Sequence, residues 1–129
     1  MSKSFDIRSY QEGDEKQILE LFSLSYGGRQ MTMPYWKWRF WDNPAGNGII
    51  QLSWDQDILT AHYAVTTLSV RIDGRNCLSG LSGTTMTHPD YRGQRTFPIL
   101  AHRTYREMAN RHMAMVWGFP NPISHRGFV

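Results

Sequence analysis

Cysteine is almost absent from this chain. The single Cys77 cannot close an internal disulfide, and no cluster of Cys and His has zinc-site spacing. A reducing cytoplasm is the natural setting for such a composition. No apolar run approaches membrane-spanning length, and the stretch from Met1 to Asp6 has no apolar core of the signal-peptide kind. Repeats, linkers and low-complexity tracts are also lacking. These absences exclude a disulfide scaffold, a zinc module, a helical membrane protein and a repeat array. What is present suits one folded domain: 129 residues, 40% hydrophobic and 13% aromatic, enough for a packed core.

Acidic residues are scarce in one region only. Residues 88–129 carry six arginines against Asp90 and Glu107, while residues 1–87 are close to neutral balance. Such a surface can steer an anion toward a site; on charge alone, a solvated basic helix face explains it equally well. A nucleic-acid binder is disfavoured, because there is no recognised motif and no basic stripe interleaved with aromatics.

Phe5 to Tyr10 alternates apolar with polar residues and reads as a strand. Asp14 is placed to cap a helix running to Tyr26, with Ile18, Leu21, Phe22 and Ser25 on one face and Leu19 and Leu24 widening it; Gly27-Gly28 ends it. A short helix follows Pro34 through Trp41, with Trp36 and Phe40 directed to the core and Trp38 and Trp41 on another face. Strands are expected at Ile49–Trp54 and Ile58–Val65, the latter extending through Ile72 to a turn at Asp73-Gly74. Cys77–Thr87 forms a further strand, rich in Ser, Gly and Thr, where glycine marks a bulge or a close approach. A helix from about Phe97 to His112 must start near Thr96, because Pro98 fits only its first turn. Met113–Gly118 is a last strand, parallel to the one before the helix if the crossover is ordinary.

The segment His88–Phe97 (HPDYRGQRTF) joins the small-residue strand to that helix. A strand-to-helix loop aims unpaired N–H groups at whatever lies beyond the helix start, and two arginines and a glycine there suit a phosphate group. A phosphate site implies a nucleotide-bearing cofactor.

This order of elements, with its phosphate loop at the crossover, resembles the GNAT N-acetyltransferase family. The family's pyrophosphate loop reads Gln/Arg-x-x-Gly-x-Gly/Ala after a strand ending V-x-P. Thr87-His88-Pro89 matches that ending with Thr for Val, and Arg92 opens the loop. One branch reads H-P-D-Y-R-G-K-G-I-F, which accommodates Phe97. Trp36–Gly46 (WKWRFWDNPAG) is similar to that branch's W-R-F/Y…N-P-x-G segment. Gly118-Phe119-Pro120-Asn121, then Ser124 and Gly127-Phe128, is similar to its G-F/Y-P-N…S…G-F segment. Arg95 stands where the loop usually has Gly, and Thr96 where it usually has an aliphatic residue. Arg95 then either pairs with a phosphate oxygen or weakens cofactor binding.

The resemblance implies a mixed α/β sheet: an antiparallel meander followed by one βαβ crossover. Residues 1–129 would form a single, incomplete domain, lacking the last helix and two strands of the fold. The chain is then a fragment, or a second chain completes the exposed edge strand 113–118, as in a homodimer. The implied donor is acetyl-CoA or another acyl-CoA. Its pantetheine arm would pair with Thr85, Met86 and Thr87, and its pyrophosphate would sit on Arg92, Gly93, Gln94, Arg95, Thr96 and Phe97, with Asn121 bonding the arm. An oxyanion would rest on a backbone N–H near Met86 or Thr87. No catalytic residue stands out; Ser124 and His125 are the polar candidates for a proton donor. Trp38 and Trp41 are candidates for the acceptor pocket, since aromatic rings stack on sugars and flat substrates. The implied activity is N-acyl transfer to a small amine or amino sugar. The alternative is a non-catalytic module that binds acyl-CoA or a partner chain.

Overall fold

The computed structural model describes residues 5–118. Five strands form one sheet in the order β1 (Asp6–Ser9), β2 (Ile49–Asp55), β3 (Ile58–Ile72), β4 (Arg75–Thr87) and β5 (Met115–Gly118). The first four are antiparallel to their neighbours, and β5 runs parallel to β4. A parallel neighbour requires a crossover, which is supplied by helix α3 (Thr96–Asn110). Helices α1 (Glu15–Ser25) and α2 (Met33–Phe40) pack against β3 and β4 on one face, and α3 packs against β2 and β3 on the other.

With helices on both faces, the central strands have no solvent side, and β2 is buried along nearly its whole length. Pleating divides its residues. Ile50, Leu52 and Trp54 join Ile18, Leu21, Trp36 and Phe40 beneath α1 and α2. Ile49 joins Tyr63, Val65, Leu100, Ala101 and Met108 beneath α3. Each fully enclosed large side chain, such as Phe40, contributes about 1.5–3 kcal/mol through lost apolar hydration.

Local chemistry explains the helix limits. The Thr32 hydroxyl accepts the Tyr35 N–H at 3.3 Å, Pro34 occupies the first turn of α2, and Asn43-Pro44 follows its end. Trp36 and Phe40, four residues apart, enter the core as their spacing predicts. Asp14 stands at the start of α1 but caps nothing. Its carboxylate is taken by both guanidinium nitrogens of Arg8, at 2.7 and 3.0 Å, and by the Gln11 N–H. A bidentate charged pair outcompetes a neutral helix N–H. Leu24, expected to widen the buried face of α1, is 55% exposed, because only Ile18 and Leu21 of this helix are buried.

Candidate functional site

The pairing of β4 changes character along its length. From Ser79 to Ser82 it is paired on both sides, with β3 and with β5. Beyond Ser82 the β5 ladder ends at Gly118, while β4 continues to Thr87 with β3 alone, among the described residues. Among the described residues, the outer edge of residues 83–87 has no strand partner. The His88 N–H donates to the Thr60 carbonyl at 2.7 Å, so His88 faces β3. Alternation along an antiparallel ladder turns the preceding residue the other way, which aims the Thr87 N–H away from β3.

The strand is also distorted there. His62 pairs with Met86 and Ala64 with Gly83, which leaves Thr84 and Thr85 together opposite Tyr63. Thr84 adopts φ 58°, a left-handed conformation that a β-branched residue resists. Two side chains bond this bulge and a third lies beside it. Tyr26, just past α1, donates its hydroxyl to the Thr85 carbonyl at 3.2 Å. His62 of β3 lies 2.8 Å through Nδ1 from the Thr84 carbonyl. Arg39 of α2 lies against Gly83, where an added Cβ would come within 2.6 Å of its Nη2.

Burial depresses the His62 pKa to about 4, partly offset by the Thr84 carbonyl and assisted by the nearby positive charge of Arg39. The ring is therefore neutral at pH 7. Since a carbonyl can only accept, Nδ1 carries the proton, and Nε2 is left with a buried, unpartnered lone pair. Burial raises the Tyr26 pKa, and Arg39 partly counters it. On the opposite face a second polar chain runs from the Ser82 hydroxyl to Tyr63 and on to Tyr105, each step 3.1 Å. Desolvation raises the Tyr63 hydroxyl far above its ordinary range.

Beyond Thr87 the chain makes a 3-10 turn over Pro89–Tyr91, braced by the Asp90 N–H on His88 Nδ1 and by the Tyr91 hydroxyl on Asp55 at 2.8 Å. Arg92 is extended, Gly93 has φ 82°, and Arg95 has φ 56° with ψ 32° immediately before α3. The loop thus does require a left-handed residue where the resemblance places a glycine, and Arg95 occupies that conformation. Its side chain does not cap α3. Arg92, Gly93, Gln94 and Arg95 are exposed, and neither arginine has an acidic partner among the described residues. Thr96 is buried, and Phe97 packs edge-on against Tyr63 at 5.4 Å.

Thr85, Met86 and Thr87 therefore lie on the last residues of β4, and residues 92–97 form the loop-to-helix turn that follows. Trp38 is 64% exposed beside the Tyr35 ring, whereas Trp41 packs against Tyr10 at 4.9 Å. Asn121, Ser124 and His125 lie outside the described residues. Sequence reasoning missed Tyr26, Arg39 and His62 as a group. A histidine inside an otherwise apolar strand and an arginine inside the Trp36–Phe40 segment were the available signals.

Residues 6–128 match the family profile described as acetyltransferase (GNAT) domain. No curated protein matches the chain. Among solved structures, the chain is similar to a predicted acetyltransferase with acetyl-CoA from Clostridium acetobutylicum. That match has TM-score 0.77 at 12% identity and covers 97% of this chain and 86% of the other. It is also similar to a transcriptional regulator from Bacillus halodurans, with TM-score 0.75, 14% identity and coverage of 97% and 89%. A third similar structure is glucosamine-6-phosphate N-acetyltransferase from Arabidopsis thaliana, with TM-score 0.74, 12% identity and coverage of 98% and 88%.

Proposed function

The chain belongs to the GNAT acetyltransferase family, and from that premise we propose that it is an acyl-CoA-dependent N-acyltransferase that uses acetyl-CoA and acts on a small amine or amino sugar. The observation that carries this reading is a β4 edge that, among the described residues, has no strand partner from residue 83 to 87 and leads directly into an uncapped loop-to-helix turn. An extended pantetheine arm can complete such an edge by backbone hydrogen bonds at Thr85–Thr87. The N-terminus of α3, with Arg92 and Arg95 beside it, suits a pyrophosphate. Asn121 would bond the arm through its side-chain amide.

Acetyl-CoA supplies an activated thioester. This chain's own residues would bind and orient it, and a backbone N–H near Met86 or Thr87 would hold the negative charge that develops on the carbonyl oxygen. The amine must lose a proton and the departing thiolate must gain one. Ser124 and His125 remain the candidates for that donor. His62 is neutral but too weakly basic at its depressed pKa for efficient proton removal, so its part is to hold the Thr84 carbonyl. Trp38 and Trp41 keep their place as candidate acceptor contacts, the more accessible being Trp38.

One observation favours the alternative, a non-catalytic module that binds acyl-CoA or a partner chain: β4 carries no Asp or Glu to act as a base. The absence of a membrane-crossing helix among the described residues, together with the lone cysteine, fits a cytoplasmic setting. A second copy or a completing chain on the outer edge of β5, where Met115 and Val116 are exposed, is part of the same proposal; sedimentation of a stable monomer would remove it.

Calorimetric titration with acetyl-CoA is the direct test. Saturable binding with turnover of an amine supports the enzyme. Binding without turnover across an amine panel supports the alternative. No heat at millimolar ligand overturns both.

A further inference from the structure

Arg39 has a function left over. It is half-buried, yet among the described residues it has no hydrogen bond and no ion pair; its guanidinium carbon lies 4.8 Å from the centre of the Phe40 ring. Partial desolvation of a guanidinium is unfavourable without a counter-charge. The strand opposite is shaped to admit it: Gly83 has no side chain where a Cβ would stand 2.6 Å from Nη2. Arg39 also lines a groove of about 410 Å³ with Phe22, Gln30, Met31, Thr32 and Tyr35. That lining contains no carboxylate, so the groove is cationic, with aromatic walls and one fork-shaped donor. The Arg39 guanidinium that lines it stands beside Gly83, one residue before the bulge that adjoins the proposed thioester edge.

We propose that this groove receives an amine bearing an oxyanion, a carboxylate or a phosphate, which the Arg39 guanidinium binds while the amine points toward the β4 bulge. The identification of this ligand as the acceptor rests on the acyltransferase reading; the binding does not. A planar guanidinium pairs with either oxyanion through two parallel N–H···O bonds. A polycationic amine is repelled by the same charge and finds no carboxylate in the lining.

Two matched pairs of ligands test this by calorimetry on the full chain, without acetyl-CoA: glucosamine 6-phosphate against glucosamine, and phenylalanine against phenethylamine. In at least one pair the oxyanion-bearing member binds about 10- to 100-fold more tightly, the scale of a charged hydrogen-bonded pair. The pair that shows the preference identifies phosphate or carboxylate. Arg39→Gln brings the ratio close to one. Gly83→Ala does the same by displacing the guanidinium, which keeps the test sound should Arg39→Gln fail to fold. In turnover, the loss appears as a raised KM for the oxyanion-bearing amine. Equal affinity within both pairs, no binding of any of the four at about 10 mM, or a preference that survives Arg39→Gln overturns the proposal. An Arg39-dependent preference in a chain that gives no heat with acetyl-CoA leaves this proposal standing and removes the acyltransferase reading instead.

Discussion

Replacing Arg95 separates two effects that the wild-type residue combines. Its left-handed backbone, φ 56° and ψ 32°, costs a residue with a Cβ about 1–2 kcal/mol. Glycine escapes that strain but loses about 0.4–1 kcal/mol through the greater freedom of its unfolded chain. Arg95→Gly should therefore stabilise the fold by about 0.5–1 kcal/mol, or roughly 2–5 °C in Tm for a domain of this size. Arg95→Ala keeps the strain and should melt with the wild type. For acetyl-CoA the two variants should behave alike. An exposed guanidinium–phosphate pair contributes about 0.2–1 kcal/mol, so both should bind roughly two- to fivefold more weakly, and the difference should fade in about 0.5 M salt. Differential scanning fluorimetry and calorimetry read the two quantities independently. Equal Tm for Gly and Ala refutes the strain. Unchanged affinity in both variants removes Arg95 from the phosphate site and leaves the backbone N–H groups to hold it.

Three further outcomes follow from the interior. His62 is protonated in the unfolded chain below about pH 6.5 but in the folded protein only near pH 4, so unfolding takes up a proton between those values and stability falls as pH drops. Urea titrations should show a loss of up to about 1.4 kcal/mol per pH unit in that window, absent in His62→Leu; parallel curves would contradict the burial of a neutral ring. Gly48→Ala places a Cβ 2.8 and 2.9 Å from the carbonyl oxygens of Phe40 and Val65, both backbone. It should cost about 1–3 kcal/mol by chemical denaturation, and a neutral result would mean that α2 can shift freely from β3. Tyr26→Phe removes the hydroxyl on Thr85 and should cost about 0.5–1.5 kcal/mol; no loss would mean that the bulge does not depend on it.

Much of the scaffold was legible because its signals are local. Pro98 set the start of α3, the spacing of Trp36 and Phe40 set the buried side of α2, and a loop that elsewhere has glycine before the helix singled out Arg95, the residue found in the left-handed conformation. The bulge was less legible. It falls on Thr84, a β-branched residue, whereas the neighbouring glycines are occupied otherwise: Gly80 admits Met108 and Gly83 admits Arg39. The convergence of Tyr26, Arg39 and His62 depends on contacts between residues far apart in the chain, about which local periodicity says nothing. Asp14 failed as a cap for a related reason, since Arg8 approaches from the preceding strand.

The strands lie in the sheet in the order in which they occur in the chain. During synthesis each new strand can therefore add to an edge already present, without waiting for a later segment to insert between earlier ones. From β2 to β4 such sequential pairing keeps loop-closure distances short and favours rapid folding. Among the described residues the only crossover is the last one, so α3 must dock before β5 can align with β4. Damage to α3 should therefore spare the first four strands on the ribosome and trap a species with the whole outer edge of β4 open, a surface prone to aggregation.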